Sequence, residues 1–519
     1  MKKPLSSPSV KRVKKSFWNF LINRLTITVI LILLQFIALS VFLLRLNDIF
    51  TYAYPVAQIL SVCIVIWLVR KNDNPSYKIA WIIIILLIPI LGTAFYLLWG
   101  NTPLNQSRLR RIPPIPMDQL ERAPTATRPL YKRHPHYRRL VQYLYGISEM
   151  PVWEHTGTEF YPVGEYQFEA MLTDLRKAER FIFLEYFIIE PGAFWDSILE
   201  ILTEKAAQGV DVRVMYDDAG CMGTLPMGYA KELERRGIRV HQFNQFFPML
   251  NTYLNYRDHR KVCIIDGNTA FTGGINLADE YINEKERFGH WKDTGVRLYG
   301  EGVANLTAQF LQLWHFCEKE PFVDLTPYLP TVQAPSDGYV QSFSDSPLDD
   351  KNVGENVFMN IINNASKYVY ITSPYLTLDN EMLTALTTAA QSGIDVRIVT
   401  PGIPDKSYVY AVTRSYYAQL IQSGVKIYEY TPGFLHAKMI VSDNHIAVVG
   451  TINMDFRSFY LHFECGTVFY RSSVVEKVKV DILDTIEKSH PIDAKWLADN
   501  TSWIKSIYAS VLRLFAPLL

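Results

Sequence analysis

Hydrophobic positions along this chain fall into two regimes. Up to about residue 100 they run together: Leu25 to Leu44, Tyr54 to Val69 and Ile79 to Trp99 are apolar stretches almost free of charge. A bilayer core of ~30 Å takes roughly 17 to 25 helical residues to cross, so the pattern predicts three transmembrane helices within a membrane region over 25–100, the middle one the shortest. Trp67, Trp81, Tyr96 and Trp99 sit near segment ends, where amphipathic rings favour the interface. A cleaved signal peptide is the competing reading of the first stretch, but the LNDIFTYAYP that follows holds no small-residue cleavage site.

Beyond a Pro- and Arg-rich stretch, read as an irregular tether over 101–138, short apolar runs alternate with helical patterns, and they do so twice. AERFIFLEYFI (178–188) aligns with ASKYVYITSPY (365–375), AAQGVDVRVM (206–215) with AAQSGIDVRIV (389–399), and RRGIRVHQF (235–243) with QSGVKIYEY (422–430). Continuous apolar strands between helices are expected where helices cover both faces of a sheet. The prediction is an α/β protein: one repeat over 139–320, a Pro-bearing linker over 321–340 and a second repeat over 341–490. A C-terminal amphipathic segment covers 491–519. A pseudo-two-fold pairing of the repeats would bring equivalent residues face to face.

The chemistry lies in the most similar stretches of the two repeats, HRKVCIIDGNTAFTGGIN (259–276) and HAKMIVSDNHIAVVGTIN (436–453). Both read H-x-K-x4-D, then Gly, and end in Asn at equal offsets. Side chains two apart on a strand share a face, so His259 projects with Lys261 and His436 with Lys438. Gathered into one volume with Asn276 and Asn453, they suit a phosphodiester: cations and amides offset charge on its oxygens, one imidazole attacks phosphorus and the other serves as acid and then base. A metal site is the rival chemistry, but the residue beside each His is a Lys, which cannot ligate while protonated, and no metal or cofactor is expected. Asp266 and Asp443 have the opposite strand parity and are expected to brace a turn. Asp293 and Glu464 hold parallel places in the two halves, 34 and 28 residues after the histidine of their own half, and are expected to orient imidazoles.

On these motifs the chain resembles the phospholipase D superfamily and, within it, bacterial cardiolipin synthases. NPSYKIAWIIIILLIPILGTAFYLLWG is similar to the family's N-terminal membrane hairpin, and FTGGINLADEY and GTINMDFRSFYLHFE to its motif ends. The resemblance implies two tandem phospholipase D-like sandwiches and a metal-free transfer of a phosphatidyl group between two phosphatidylglycerols through a phosphohistidine, giving cardiolipin and glycerol. It assigns His259, Lys261, Asp266, His436, Lys438 and Asp443 to the catalytic motifs, with Asn276, Asn453, Asp293 and Glu464 in support. Gly274 and Thr451 depart from the Ser frequent in the superfamily, and His462 from Asn. The extra segment Leu25 to Leu44 precedes the usual hairpin. The same histidines with water as acceptor would make a phospholipase, a phosphodiesterase or a nuclease.

Composition narrows this little further. Lys and Arg number 52 against 51 Asp and Glu, and a net charge of +1 gives no global attraction to nucleic acid. The five cysteines form no C-x-x-C pair, so neither a zinc site nor a disulfide framework is indicated. Basic residues crowd the tail over 1–24, which places the N-terminus inside the cytoplasmic membrane and, after three crossings, the repeats on its outer face. FFPMLNTYLNYR (246–257) reads as ordinary core or as an apolar lip for acyl chains, Arg457 as a structural ion-pair partner or a contact for a second lipid phosphate, and Trp503, Ile504, Ile507, Val511 and Phe515 as a face packed on the catalytic core or an interfacial helix. Oligomeric state is left open.

Overall fold

Two sheets of matching order carry the two repeats. In the first, β1 (Thr156–Tyr161), β2 (Phe181–Tyr186), β3 (Asp211–Asp217), β4 (Arg239–Phe243), β6 (Lys261–Ile265), β7 (Thr269–Gly273) and β8 (Gly295–Gly300) are ordered β1-β8-β7-β6-β2-β3-β4. In the second, β9 (Tyr339–Asp345), β10 (Tyr368–Thr372), β11 (Asp395–Pro401), β12 (Lys426–Tyr430), β13 (Met439–Ser442), β14 (Ile446–Gly450) and β15 (His462–Tyr470) repeat it as β9-β15-β14-β13-β10-β11-β12, with β16 (Ser489–Ile492) added beyond β12. The two-residue β5 (Arg257–Asp258) belongs to the first repeat by sequence but pairs with β15 of the second sheet. This computed structural model describes residues 24–45, 50–100, 112–120, 125–245, 255–349 and 351–518. Most of the basic tail, the first part of the expected tether (101–111) and residues 246–254 of the expected lip lie outside the described residues.

The apolar runs are explained by burial on both faces. In β6, Val262 and Ile264 point into a core shared by the two repeats, while Cys263 and Ile265 point into a second core outside the first sheet. In β13, Met439 and Val441 enter the shared core and Ile440 the core outside the second sheet. The helix Val303–Glu318 fills much of the shared core, with Phe310 stacked on Phe183 at 4.7 Å between ring centres. At about 25 cal/mol per Å² of apolar surface removed from water, this common core couples the halves strongly.

Two expectations change here. The stretch over 101–138 is not a free tether where it is described: Ile115 and Leu120 are buried in the shared core, and Leu130 and Tyr137 in the outer core of the second repeat. Its prolines interrupt helices without preventing burial of the apolar residues between them. The third apolar stretch is not one span either. Helix Pro75–Leu87 stops at Ile88, which leaves the helical region (φ −134°, ψ 74°) as the ring of the following proline demands, and a short helix, Pro89–Phe95, follows.

Upstream helices cover Arg24–Arg45 and Phe50–Arg70. Among the described residues no helix is long and apolar enough to cross a membrane. The N-terminal region nevertheless presents Val56, Ile59, Ile66, Val69, Leu86 and Leu87 to the outside, Leu87 at 75% exposure, a patch larger than scattered surface hydrophobes. It docks on the second repeat through Asn74, whose Nδ2 donates to Tyr460 Oη at 2.9 Å and Asp379 Oδ2 at 3.2 Å. At the other end of the chain, helix Trp503–Leu514 rests on the second repeat through Arg513, stacked 3.9 Å from the Tyr416 ring, and leaves Trp503, Ile504, Ile507 and Val511 exposed.

Candidate functional site

Each motif histidine sits at the junction of the repeats and is held there by backbone from the other half. His259 N donates to Phe463 O at 2.9 Å, continuing the β5–β15 pairing, and His436 N donates to Lys292 O at 2.7 Å, while Lys292 N donates to Phe434 O at 2.9 Å. The residue after each acceptor is a carboxylate. Glu464 Oε1 and Oε2 lie 2.9 and 3.0 Å from His259 Nδ1, and Asp293 Oδ2 lies 2.6 Å from His436 Nδ1. The orienting pairs are therefore crossed between the repeats, contrary to the expectation that placed each carboxylate with the histidine of its own half. With Nδ1 engaged, Nε2 of each ring is the free nitrogen.

His259, His436, Asn276 and Asn453 line one cavity of about 610 Å³. Lys261 and Lys438 are buried beside their histidines, each ammonium donating to the carbonyl of the His two residues earlier, as the strand parity predicts. Asn276 Oδ1 accepts from Ile188 N at 3.0 Å and its Nδ2 donates to Tyr281 Oη at 2.7 Å. Asn453 Oδ1 is buried and finds no hydrogen-bond partner among the described residues.

Asp266 and Asp443 lie outside the cavity, which corrects their place in the catalytic set that the motif resemblance suggests. Each sits past the far end of its motif strand, and β6 alone is five residues long, about 16 Å at ~3.3 Å per residue. Asp266 accepts from the backbone N–H groups of Glu179, Arg180 and Phe181 at 2.9, 2.7 and 2.9 Å. Asp443 accepts from Ser366, Lys367 and Tyr368 at 2.6, 2.9 and 3.0 Å. Both adopt positive φ, 55° and 54°, so each closes a turn.

The two histidine pairs differ electrostatically. Burial lowers the His259 pKa to about 3, against the pull of Glu464, and lowers that of His436 well below its ordinary value, with Lys438 and Lys261 adding to the effect. Burial works against the Glu464 charge, yet the imidazoles of His259 and His462 outweigh it and hold the carboxylate below its ordinary range. Glu464 also accepts from Thr451 Oγ1 and, at 2.7 Å, from Ser458 Oγ. Asp293 is pushed up to about 7 by burial, against the lysines. No hydroxyl equivalent to that of Thr451 reaches it, because Gly274 stands at that place, and a Cβ there would meet Asp293 Oδ1 at 2.0 Å. Burial also lowers Lys438 to about 7 and Lys261 to about 8.

Sequence reasoning missed the aromatic walls. Tyr281, Trp291 and Phe434 surround the His436 ring at 5.4, 5.6 and 5.8 Å between centres, and Phe187 meets that of His259 at 5.0 Å. Most stand in loops without periodicity, beside residues whose charge alone marks them in the sequence. Among the described residues, His259, His462 and Glu464 place three possible metal-ligand atoms within 4.8 Å of one another, as do His315, Glu318 and Glu320. In the first group both carboxylate oxygens already accept hydrogen bonds from His259, Thr451 and Ser458.

The site can thus take a phosphodiester into a cavity lined by the two amides, with a free imidazole nitrogen supplied by each repeat and Lys261 and Lys438 buried beside the histidines. Residues 171–314 and 358–484 match the family described as cardiolipin synthase, PLD-like domain, and residues 59–101 match that described as phospholipase D-nuclease N-terminal. A cardiolipin synthase of Geobacillus thermodenitrificans is 37% identical over 465 residues, covering 86% of this chain and 90% of that protein. An uncharacterised protein of Streptococcus mutans is 46% identical over 465 residues, covering 88% and 99%. The crystal structure of phosphatidylserine synthase from Haemophilus influenzae shares the fold at a TM-score of 0.55 and 12% identity, over 73% of this chain and all of that one. The chain belongs to the cardiolipin synthase family of phospholipase D-like proteins.

Proposed function

We propose that the protein is a phosphatidyltransferase that joins two phosphatidylglycerols into cardiolipin and releases glycerol. The observation that carries this reading is the pair of histidines, each held by a carboxylate of the other repeat and each beside a buried lysine, that face one cavity, within a chain 37% identical to a cardiolipin synthase over most of its length. His259 is the better nucleophile of the two. Glu464, fully ionised and fixed by Thr451 and Ser458, holds the proton on Nδ1 and leaves the Nε2 lone pair directed at phosphorus. His436 is the acid and base, since its neighbours Asp293 and Lys438 titrate near neutrality and form a reservoir for the proton given to the leaving glycerol. Lys261, Lys438, Asn276 and Asn453 offset the charge on the non-bridging oxygens.

The chain acts at the membrane surface, held by the apolar residues that its N-terminal helices leave exposed, with the repeats on the outer face. Purified protein in detergent, given phosphatidylglycerol, should form cardiolipin and glycerol in equal amounts. Phosphatidic acid without cardiolipin would favour a hydrolase instead. Topology is tested by Arg138→Cys, at an exposed position: an impermeant thiol reagent added to intact cells should label it more than the unsubstituted chain.

A further inference from the structure

Helix Trp503–Leu514 rests on the second repeat by one side only. Leu512 packs into the outer core of that repeat and Arg513 stacks on Tyr416, while Trp503, Ile504, Ile507, Tyr508 and Val511 stay more than half exposed, Trp503 at 73%. At about 100° per residue those five fall within an arc of roughly 140°, a single apolar face. The helix has no carboxylate, and Lys505 stands beside the face, where a long side chain can lay its stem on apolar surface and keep its charge in water. This face has apolar neighbours. Helix Pro75–Leu87 packs against the same helix and against the turn Ala516–Leu518 that follows it, and Leu518 joins the N-terminal cluster of Ile64, Leu68, Trp81, Ile85 and Tyr96. The helix Pro75–Leu87 carries Leu86 and Leu87, both part of the exposed N-terminal patch. On its packed side the C-terminal helix leans on helix Ser407–Ser415, whose Val409 and Val412 line the catalytic cavity together with Ala516.

We propose that helix Trp503–Leu514 lies in the surface of the bilayer, its outer face at the boundary of headgroups and acyl chains, and seats the catalytic cavity against the lipid that supplies its substrate. This rests on the reading of the chain as a phosphatidyltransferase acting at a membrane. A bilayer fits this face better than a partner protein does, for two reasons. The face continues, through touching helices, the apolar residues that hold the N-terminal region to the membrane. Its side chains are aliphatic with one indole and one phenol, rings that favour the boundary between water and lipid, and no carboxylate has to be kept out of it. The placement has a consequence for catalysis. Packed helices lie about 8–10 Å apart, so the cavity wall formed by Val409, Val412 and Ala516 stands within one helix layer of the lipid. A phosphatidylglycerol can then bring its headgroup to His259 and His436 while its acyl chains stay in the bilayer.

The test uses the full-length protein reconstituted in phosphatidylcholine vesicles that carry phosphatidylglycerol. Ile507→Cys, on the apolar face, and Ser506→Cys, turned away from it, are each combined with Cys63→Ser, which removes the exposed native thiol, and labelled with a fluorophore. Brominated phosphatidylcholine should quench the label at 507 at least about threefold more than the label at 506, since an interfacial helix holds only one face in lipid. Equal quenching would overturn the proposal. So would shielding of position 507 that persists in detergent and is lost on dilution, the mark of a second copy on this face. Ile507→Glu combined with Val511→Glu should lower cardiolipin formation from vesicles by on the order of tenfold as the face loses apolar area, while turnover of a short-chain phosphatidylglycerol in dilute detergent, which also reports an intact fold, should change by less than about twofold. A parallel loss of both activities, or no loss of either, would refute the seating role. Absence of cardiolipin from the unsubstituted protein would instead sink the underlying phosphatidyltransferase reading and leave the quenching result standing.

Discussion

Crossed pairing of the histidines makes a sharp prediction, because the carboxylate that serves each one lies in the wrong half of the sequence. Replacing Glu464 by Gln keeps the shape of the side chain but removes the charge opposite His259 Nδ1, where both oxygens now lie at 2.9 and 3.0 Å. A hydrogen bond to a charged group contributes about 1.5–3 kcal/mol. At about 1.4 kcal/mol per tenfold, that alone is a loss of roughly 10- to 150-fold. The loss grows where the Gln amide donates to Nδ1, since the ring proton then moves to Nε2 and removes the attacking lone pair. Asp293→Asn should damage His436 by the same reasoning, from a contact of 2.6 Å.

The assay is a burst experiment with a phosphatidyl ester of p-nitrophenol, a leaving group that departs without a proton. A variant that has lost the general acid should still release one equivalent of nitrophenolate per enzyme. A variant that has lost the nucleophile should not. His259→Ala and Glu464→Gln should fall together in the class without a burst, and His436→Ala and Asp293→Asn in the class that keeps it. Sorting by repeat instead, with His259 grouped with Asp293 and His436 with Glu464, would refute the crossed assignment whichever histidine proves to be the nucleophile.

Three further outcomes follow from the same geometry. Because burial lowers Lys438 to about 7 and Lys261 to about 8, their charges are present below those values and lost above them; kcat/KM should decline as pH rises through 7 to 8, and a rise up to pH 10 would contradict the role given to them. Gly274→Ala puts a methyl where Asp293 Oδ1 and Cγ stand, so the carboxylate must move off His436 and turnover should drop by more than about tenfold, and full activity would disprove the close approach. Asp266→Ala removes three N–H acceptor contacts from a half-buried brace; Tm should fall by the equivalent of about 1–3 kcal/mol with kcat within about threefold, whereas a large loss of kcat at unchanged Tm would return Asp266 to the catalytic set.

What the sequence made legible was local. Equal spacing in the two motifs placed His259 with Lys261 and His436 with Lys438, since strand parity is a property of consecutive residues, and the same parity turned Asp266 and Asp443 away from the cavity. Pairing between segments far apart in sequence left no such trace. β5 is two residues long, too short for any period, yet its pairing with His462 and Phe463 decides which carboxylate serves His259. The aromatic ring around His436 is drawn from two loops, and no pattern in either announces it. The hydrophobicity of the third apolar stretch masks the helix break at Pro89, and the prolines around Ile115 mask the burial of Ile115 and Leu120.

The crossing also says why the two repeats act as one enzyme. Phe463 fixes the backbone of His259 and Glu464, the next residue, fixes its ring; Lys292 and Asp293 do the same for His436. Backbone and side-chain contacts from adjacent residues set one register, and because successive strand residues face opposite ways, a slip by one would turn the carboxylate from the imidazole to the opposite face. The orientation of each Nε2 therefore depends on docking of the opposite repeat, and an isolated repeat would hold a histidine without its carboxylate and leave its side of the shared core exposed to water. The two imidazoles become competent together, which suits a reaction that needs one of them as nucleophile and the other as proton carrier in the same turnover.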